Sequence, residues 1–155
     1  MYRIVNIDDI PHRKDEYFPL FYDEWSIGEQ DRAFHEELLT YTNGLLGLPR
    51  FYVVEYEEQL VACYALLVND INSRQDLFPW FAYLYVKPEH RGNGLAKMLL
   101  EHGEQVAHSL NFQTLYLESN HQDFYEKFGY KKKGHTSDPF GEKATIYFKN
   151  IAASS

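Results

Sequence analysis

Apolar and polar positions alternate well enough from Tyr2 to Ile7 to predict a first strand. Pro11 then opens a helix running toward Trp25, because proline is pre-set for a first helical turn. A second helix is expected from Glu29 to Thr42, with Phe34, Leu38 and Tyr41 on one face and Asn43-Gly44 as its stop. Arg50–Tyr56 and Gln59–Asn69 are rich in Val, Tyr and Leu and meet at Glu57-Glu58, so a hairpin of two largely buried strands is expected. Polar residues and proline from Asn69 to Pro79 mark a loop, and Trp80–Val86 reads as the next strand. From Gly94 to Leu110 the apolar residues Leu95, Met98, Leu99, Val106 and Leu110 return to helical spacing. A strand at Gln113–Leu117, a short helix over Gln122–Phe128 stopped by Gly129, and strands at Tyr130–Lys133 and Thr145–Lys149 complete the series. A hairpin-built part followed by a βαβ crossover makes the fold class mixed α/β, of the α+β kind.

Composition narrows this picture. The 155 residues suit one domain, expected over 1–150, with 151–155 as a frayed tail. Hydrophobic residues at 45% and aromatics at 17% exclude a disordered chain. The lone Cys63, inside an apolar run, excludes an internal disulfide and a paired-thiolate metal site, and reads as a small core residue. No stretch approaches the ~20 apolar residues of a membrane span, and Met1–Asn6 has no apolar signal region, so a cytoplasmic protein is expected. The formal charge of −8 argues against nucleic acid as a partner and would suit a cationic one.

The most informative segment is Leu84-Tyr85-Val86-Lys87-Pro88-Glu89-His90-Arg91-Gly92-Asn93-Gly94-Leu95-Ala96-Lys97, a strand end and a glycine-rich turn leading into a helix. Unpaired N–H groups of a helix's first turn and the positive end of its dipole converge on one place, and glycine lets a phosphate approach the backbone. A dinucleotide fingerprint would need glycine at Lys97, and a P-loop would need Gly-Lys-Ser/Thr; neither pattern is present.

Arg91-Gly92-Asn93-Gly94-Leu95-Ala96, preceded by Val86, Pro88 and Glu89, resembles the R/Q-x-x-G-x-G/A signature of the GCN5-related N-acetyltransferase (GNAT) superfamily. Phe124-Tyr125-Glu126-Lys127-Phe128-Gly129-Tyr130 resembles that family's Phe-Tyr-Glu-Lys-x-Gly-Phe/Tyr segment. The resemblance implies a mostly antiparallel central sheet flanked by helices and splayed between its fourth and fifth strands. It further implies acetyl-CoA as co-substrate, its pyrophosphate on the backbone amides of Arg91, Gly92, Asn93, Gly94, Leu95, Ala96 and Lys97, and its pantetheine along Leu84, Tyr85 and Val86. The implied reaction is direct attack of a primary amine on the acetyl group in a ternary complex, with no metal. An acyl-CoA-binding sensor of the same fold is the alternative reading. A nucleotide-binding or protein-interaction domain would account for the glycine turn but not for the second motif.

Acetyl transfer needs a neutral amine, whose free pKa is ~10, and a proton for the departing thiolate. By the same resemblance Tyr125 is the candidate general acid, and a backbone N–H near Leu84 or Tyr85 the candidate oxyanion donor. Many family members carry a carboxylate base on the strand before the glycine turn, but Trp80–Val86 contains none; Glu118, acting through water, is the candidate that remains. The seven histidines, at 12, 35, 90, 102, 108, 121 and 135, lack metal-ligand spacing. Lys131-Lys132-Lys133 could reach the 3′-phosphate of CoA, or simply charge an edge strand. The acceptor, a small-molecule or peptide amine, is expected against Tyr22, Asp23, Glu24, Trp25, Phe78 and Trp80, where acids and aromatics suit a cation. Monomer and homodimer both remain open.

Overall fold

A computed structural model describes residues 1–17, 20 and 29–152, the side chains of 29–32 excepted. The strands are β1 (Arg3–Asn6), β2 (Arg50–Tyr56), β3 (Gln59–Leu67), β4 (Trp80–Val86), β5 (Thr114–Ser119), β6 (Lys131–Ser137) and β7 (Lys143–Asn150), with helices α1 (Glu29–Leu38) and α2 (Leu95–Ser109). They form a seven-stranded sheet in the order β1-β2-β3-β4-β5-β7-β6. β1/β2, β5/β7 and β6/β7 are antiparallel and β4/β5 is parallel, so the mixed class is as expected. The parallel ladder carries one register pair among the described residues, Trp80 with Tyr116, beside a bond from the Tyr116 N–H to the Pro79 carbonyl at 3.1 Å.

Backbone contacts divide the chain into two compact units, one of Met1–Ala65 with Tyr83–Leu99, the other of Leu66–Ala82 with Leu100–Ser155. In the first, β2 and β3 are joined at Glu57 and Glu58, whose φ of 49° and 68° make a turn of the type that suits a tight hairpin. Val53, Val54, Val61, Ala62 and Cys63 are fully buried, because consecutive residues of β2 and of β3 are covered on both faces. Tyr52 stacks on Tyr64 at 5.2 Å, and Tyr17 meets Phe51 edge-on at 5.8 Å. Arg13 ties the hairpin end to the N-terminal segment by pairing with Glu16 and Glu55 and donating to the Glu58 carbonyl at 2.8 Å.

Several expected elements change here. Pro11–Glu16 is a 3-10 helix, and the expected continuation toward Trp25 lies outside the described residues apart from Tyr17 and Leu20. The second helix stops at Leu38, where the N–H groups of Thr40 and Tyr41 both turn back to the Glu37 carbonyl. The expected face of Phe34, Leu38 and Tyr41 therefore does not form: Tyr41 is 72% exposed and Phe34 44%, while Leu39, four residues after His35, is buried.

The second unit packs Leu115 and Leu117 of β5, Ile146 and Tyr147 of β7, Leu100 and Ala107 of α2, Trp80 and Tyr130 into its core. The short helix begins only at Tyr125, because Asp123 is left-handed (φ 62°), and it ends as expected on left-handed Gly129 (φ 93°). β6 runs past Lys133 to Ser137 through a register shift between Lys132 and Gly134, which its polar sequence did not signal. Ile151, assigned to the tail, is fully buried and donates its N–H to the Gln113 carbonyl at 2.8 Å; residues 153–155 lie outside the description.

Candidate active site

The glycine turn is built in the first unit. β4 runs into a 3-10 turn over Pro88–His90, started by proline, and α2 begins at Leu95 directly after Gly94. Gly92 (φ 83°) and Gly94 (φ 77°) are both left-handed, which costs any L-residue about 1–2 kcal/mol. A Cβ on either would meet no heavy atom within 4 Å, so the requirement is conformational, and the space before the turn is open. The Asn93 side chain braces the turn by donating to the His90 carbonyl at 3.0 Å, and Arg91 Nε donates to the Val86 carbonyl at 2.9 Å. Gly94 accepts from the Met98 N–H, and the first turn of α2 carries no acidic residue. Leu95 points inward as the buried anchor of the helix, while Arg91, Gly92, Asn93, Gly94 and Lys97 are exposed and Ala96 is half-buried. These residues fit an anionic ligand such as a pyrophosphate.

One feature of β4 escaped the sequence reading. Tyr83, just before Leu84, Tyr85 and Val86, has φ 57°, which for an aromatic residue stores about 1–3 kcal/mol and breaks the pleat of the strand. Its phenol lies 3.1 Å from His35 Nε2 of α1, and its carbonyl accepts from Cys63 Sγ at 3.4 Å. Burial pushes the Cys63 thiol well up, as suits a core residue and not a nucleophile. The sequence shows Tyr83 only as one aromatic in Trp-Phe-Ala-Tyr-Leu-Tyr-Val, without a glycine to mark the irregularity.

The candidate acid and base sit in the second unit. β5 alternates, with Leu117 opposite Tyr147 and Glu118 opposite Ile146, so Leu117 and Ser119 share one face and Tyr116 and Glu118 the other. Tyr125 belongs to the Leu117 face: its ring lies 5.8 Å from Tyr147, 6.3 Å from Tyr130 and 4.8 Å from Phe124. Burial raises the Tyr125 phenol above its ordinary pKa; a hydrogen bond with Ser119 pulls the other way, and Tyr147 adds to the rise. The turn that carries Tyr125 is tied down from below. The Tyr130 N–H donates to the Tyr125 carbonyl at 3.2 Å, and the Tyr130 hydroxyl donates to Glu104 at 3.0 Å. Lys149 Nζ bridges Glu104 (2.9 Å) and the Phe128 carbonyl (3.0 Å).

Glu118 lies on the opposite face of β5 from Tyr125. Its carboxyl is pushed up to about 7 by burial first and then by the charges of Asp70 and Asp138, while Asn72, donating at 3.4 Å, opposes the rise. Asp70 and Asn72 lie 48 and 46 residues upstream of Glu118, in a stretch that reads only as a polar loop. The remaining candidates divide. Trp80 is fully buried and donates to the Leu77 carbonyl at 2.7 Å, while Phe78 is 48% exposed. Tyr22, Asp23, Glu24 and Trp25 lie outside the described residues. Lys131, Lys132 and Lys133 are exposed on the edge strand β6. Among the described residues no three His, Cys, Asp or Glu side chains converge as a metal site, and no helix is long and apolar enough to cross a membrane.

Comparison with solved structures returns the same architecture. An aminoglycoside 6′-N-acetyltransferase complexed with coenzyme A superimposes with TM-score 0.74 at 18% identity, covering 96% of this chain and 97% of that one. An aminoglycoside 6′-acetyltransferase type Ii gives 0.73 at 21%, covering 96% and 97%. A GNAT family acetyltransferase from Elizabethkingia anophelis with acetyl-CoA bound gives 0.65 at 14%, also covering 96% and 97%. At these identities the likeness is one of fold. No curated protein sequence matches significantly. The sequence itself matches a family model, described as "Acetyltransferase (GNAT) domain", over residues 48–132, which is 85 of 155 positions and spans the hairpin, β4, the glycine turn, α2, β5 and the Tyr125 turn. With both motifs inside that match, the chain belongs to the GNAT acetyltransferase domain family.

Proposed function

We propose that this protein, as one GNAT domain over 1–150, transfers an acetyl group from acetyl-CoA to a primary amine by direct attack in a ternary complex. The observation that carries the reading is the turn at Arg91–Lys97, with two left-handed glycines, open space before them and a helix whose first turn carries no acidic residue. Two of the similar structures carry coenzyme A or acetyl-CoA, which supports the same ligand class. Bound acetyl-CoA supplies an acyl group activated as a thioester. The chain's own part begins with the first-turn N–H groups of α2, which hold pyrophosphate oxygens. Glu118, a carboxyl titrating near neutrality, takes a proton from the amine through water, and a pKa close to the working pH is what a general base requires. Tyr125, kept protonated by burial, donates to the leaving sulfur. A cationic small molecule is the favoured acceptor, on the charge of −8 and on the aminoglycoside acetyltransferases among the similar folds.

The second reading, an acyl-CoA-binding module without turnover, is favoured by one observation, the absence of any carboxylate from β4. Two measurements separate the readings. Calorimetric titration with CoA tests the turn, and release of free thiol from acetyl-CoA with a panel of aminoglycosides, polyamines, amino acids and peptides tests transfer. Binding with thiol release on any amine is the expected outcome. Binding with no release across the panel supports the module, and no binding of CoA overturns both.

A further inference from the structure

The polar loop between β3 and β4 is more highly organised than its sequence suggests, and its order converges on one side chain. Asn69 Nδ2 donates to the carbonyls of Gln75 (3.3 Å) and Leu77 (3.2 Å), and Gln75 Nε2 donates to those of Asp70 (3.1 Å) and Asn72 (2.8 Å). Ser73 is stapled to β6, its N–H donating to the Ser137 carbonyl at 2.9 Å and its hydroxyl lying 3.2 Å from Thr136 Oγ1. At the centre sits Asn72, a buried polar residue only 8% exposed. Its Oδ1 accepts the Arg74 N–H at 2.9 Å, which fixes the orientation of the amide and leaves Nδ2 directed at Glu118 Oε2, 3.4 Å away. A buried amide oriented on both sides is an expensive thing to place in a loop, and its Nδ2 donates to the candidate base.

We propose that Asn72 is a positioning residue for Glu118, holding one carboxylate oxygen by a donated hydrogen bond and so keeping the other for the water that relays the amine's proton. This rests on the reading of Glu118 as the base. Burial is the first cause of the raised Glu118 carboxyl, and two residues of the loop act on it in opposite senses, Asp70 raising it and Asn72 lowering it. A donated hydrogen bond favours the ionised carboxyl, and a like charge disfavours it. Asp138, at the turn after β6, adds a weaker repulsion, and Arg74 does not offset it because its guanidinium is engaged with Asp76 at 2.8 and 3.0 Å. Burial with these charges pushes the carboxyl up to about 7 against the pull of Asn72, where it is ionised enough to accept a proton and basic enough to do so.

The test is a carboxyl titration by 13C NMR on the whole protein labelled at glutamate, which needs no acceptor, with Glu118→Gln identifying the resonance. Wild type should titrate near 7. Asn72→Ala should move the midpoint up, and Asp70→Asn should move it down, each by about 0.5 or more on the pH axis. The amide fingerprint spectrum of each variant reports folding, and Asn72→Ser, which keeps a donor, guards against collapse of the loop in the alanine variant. With an acceptor from the amine panel, the acid limb of kcat/KM should shift in the same opposed directions. If both variants fold and the midpoint moves in neither, or moves the same way in both, the positioning role is overturned while the base stands. If Glu118→Gln leaves the pH profile of thiol release unchanged, the base reading itself fails.

Discussion

At the residue scale, two side chains carry the chemistry proposed here, and burial shifts both in ways that can be measured. Tyr125 is 8% exposed with its phenol raised above the ordinary value, so it stays protonated throughout the neutral and mildly alkaline range. Tyr125→Phe removes the proton but keeps the ring on Tyr147, so kcat should fall by about 10²–10⁴ while CoA affinity measured by calorimetry is unchanged. Glu118 behaves differently because its folded pKa, about 7, lies above the ordinary carboxyl range. Between those two values the folded chain holds a proton that the unfolded chain has released, so stability falls as pH rises toward 7 and is fully regained only below the unfolded pKa. Glu118→Gln should therefore stabilise the protein at pH 8, by about 1 kcal/mol once solvent screening of a half-buried group is allowed for, and should be neutral at pH 4. Urea melts at the two pH values read this directly.

At the element scale, local conformations are held against their own preferences. The β2–β3 turn places two glutamates in left-handed backbone, where Asn-Gly is the favoured pair. Replacing Glu57-Glu58 by Asn-Gly should raise unfolding free energy by about 1 kcal/mol, since Arg13 reaches the carbonyl of residue 58 and not its side chain. The turn carrying Tyr125 depends on a tertiary clamp instead. Lys149→Ala would strip the buried Glu104 of its ion pair, leaving the bond from the Tyr130 hydroxyl, and free the Phe128 carbonyl, at a cost of about 2 kcal/mol. Glu104→Gln with Lys149→Met, which removes both charges, should recover most of that loss in the same denaturation assay. The expected face of Phe34, Leu38 and Tyr41 fails at this scale too: the spacing is helical, but the helix ends at Leu38 before Tyr41 can join it.

At the scale of the whole molecule, the proposed ligand should be visible as linkage. A ligand that binds only the folded state at 100 times its Kd adds about 2.7 kcal/mol. Saturating CoA should therefore raise Tm by several degrees, an effect that Gly94→Ala should abolish, because its methyl would strain a left-handed position and enter the open space before α2. Strand and helix periods and the glycine turn leading into α2 were legible in the chain, because each is set by neighbours a few residues apart. Arg50–Tyr56 and Trp80–Val86 form strands with the boundaries their patterns predict, and Gly129 stops its helix for the reason its side chain suggests. The left-handed backbone at Tyr83, the opposite faces taken by Glu118 and Tyr125, and the meeting of Asn72 with Glu118 across 46 residues were decided only by tertiary structure. Strain at an aromatic residue persists because the surrounding packing over-determines it, and the basicity of a carboxyl is set by whatever the fold brings beside it, neither of which leaves a local signature in the sequence.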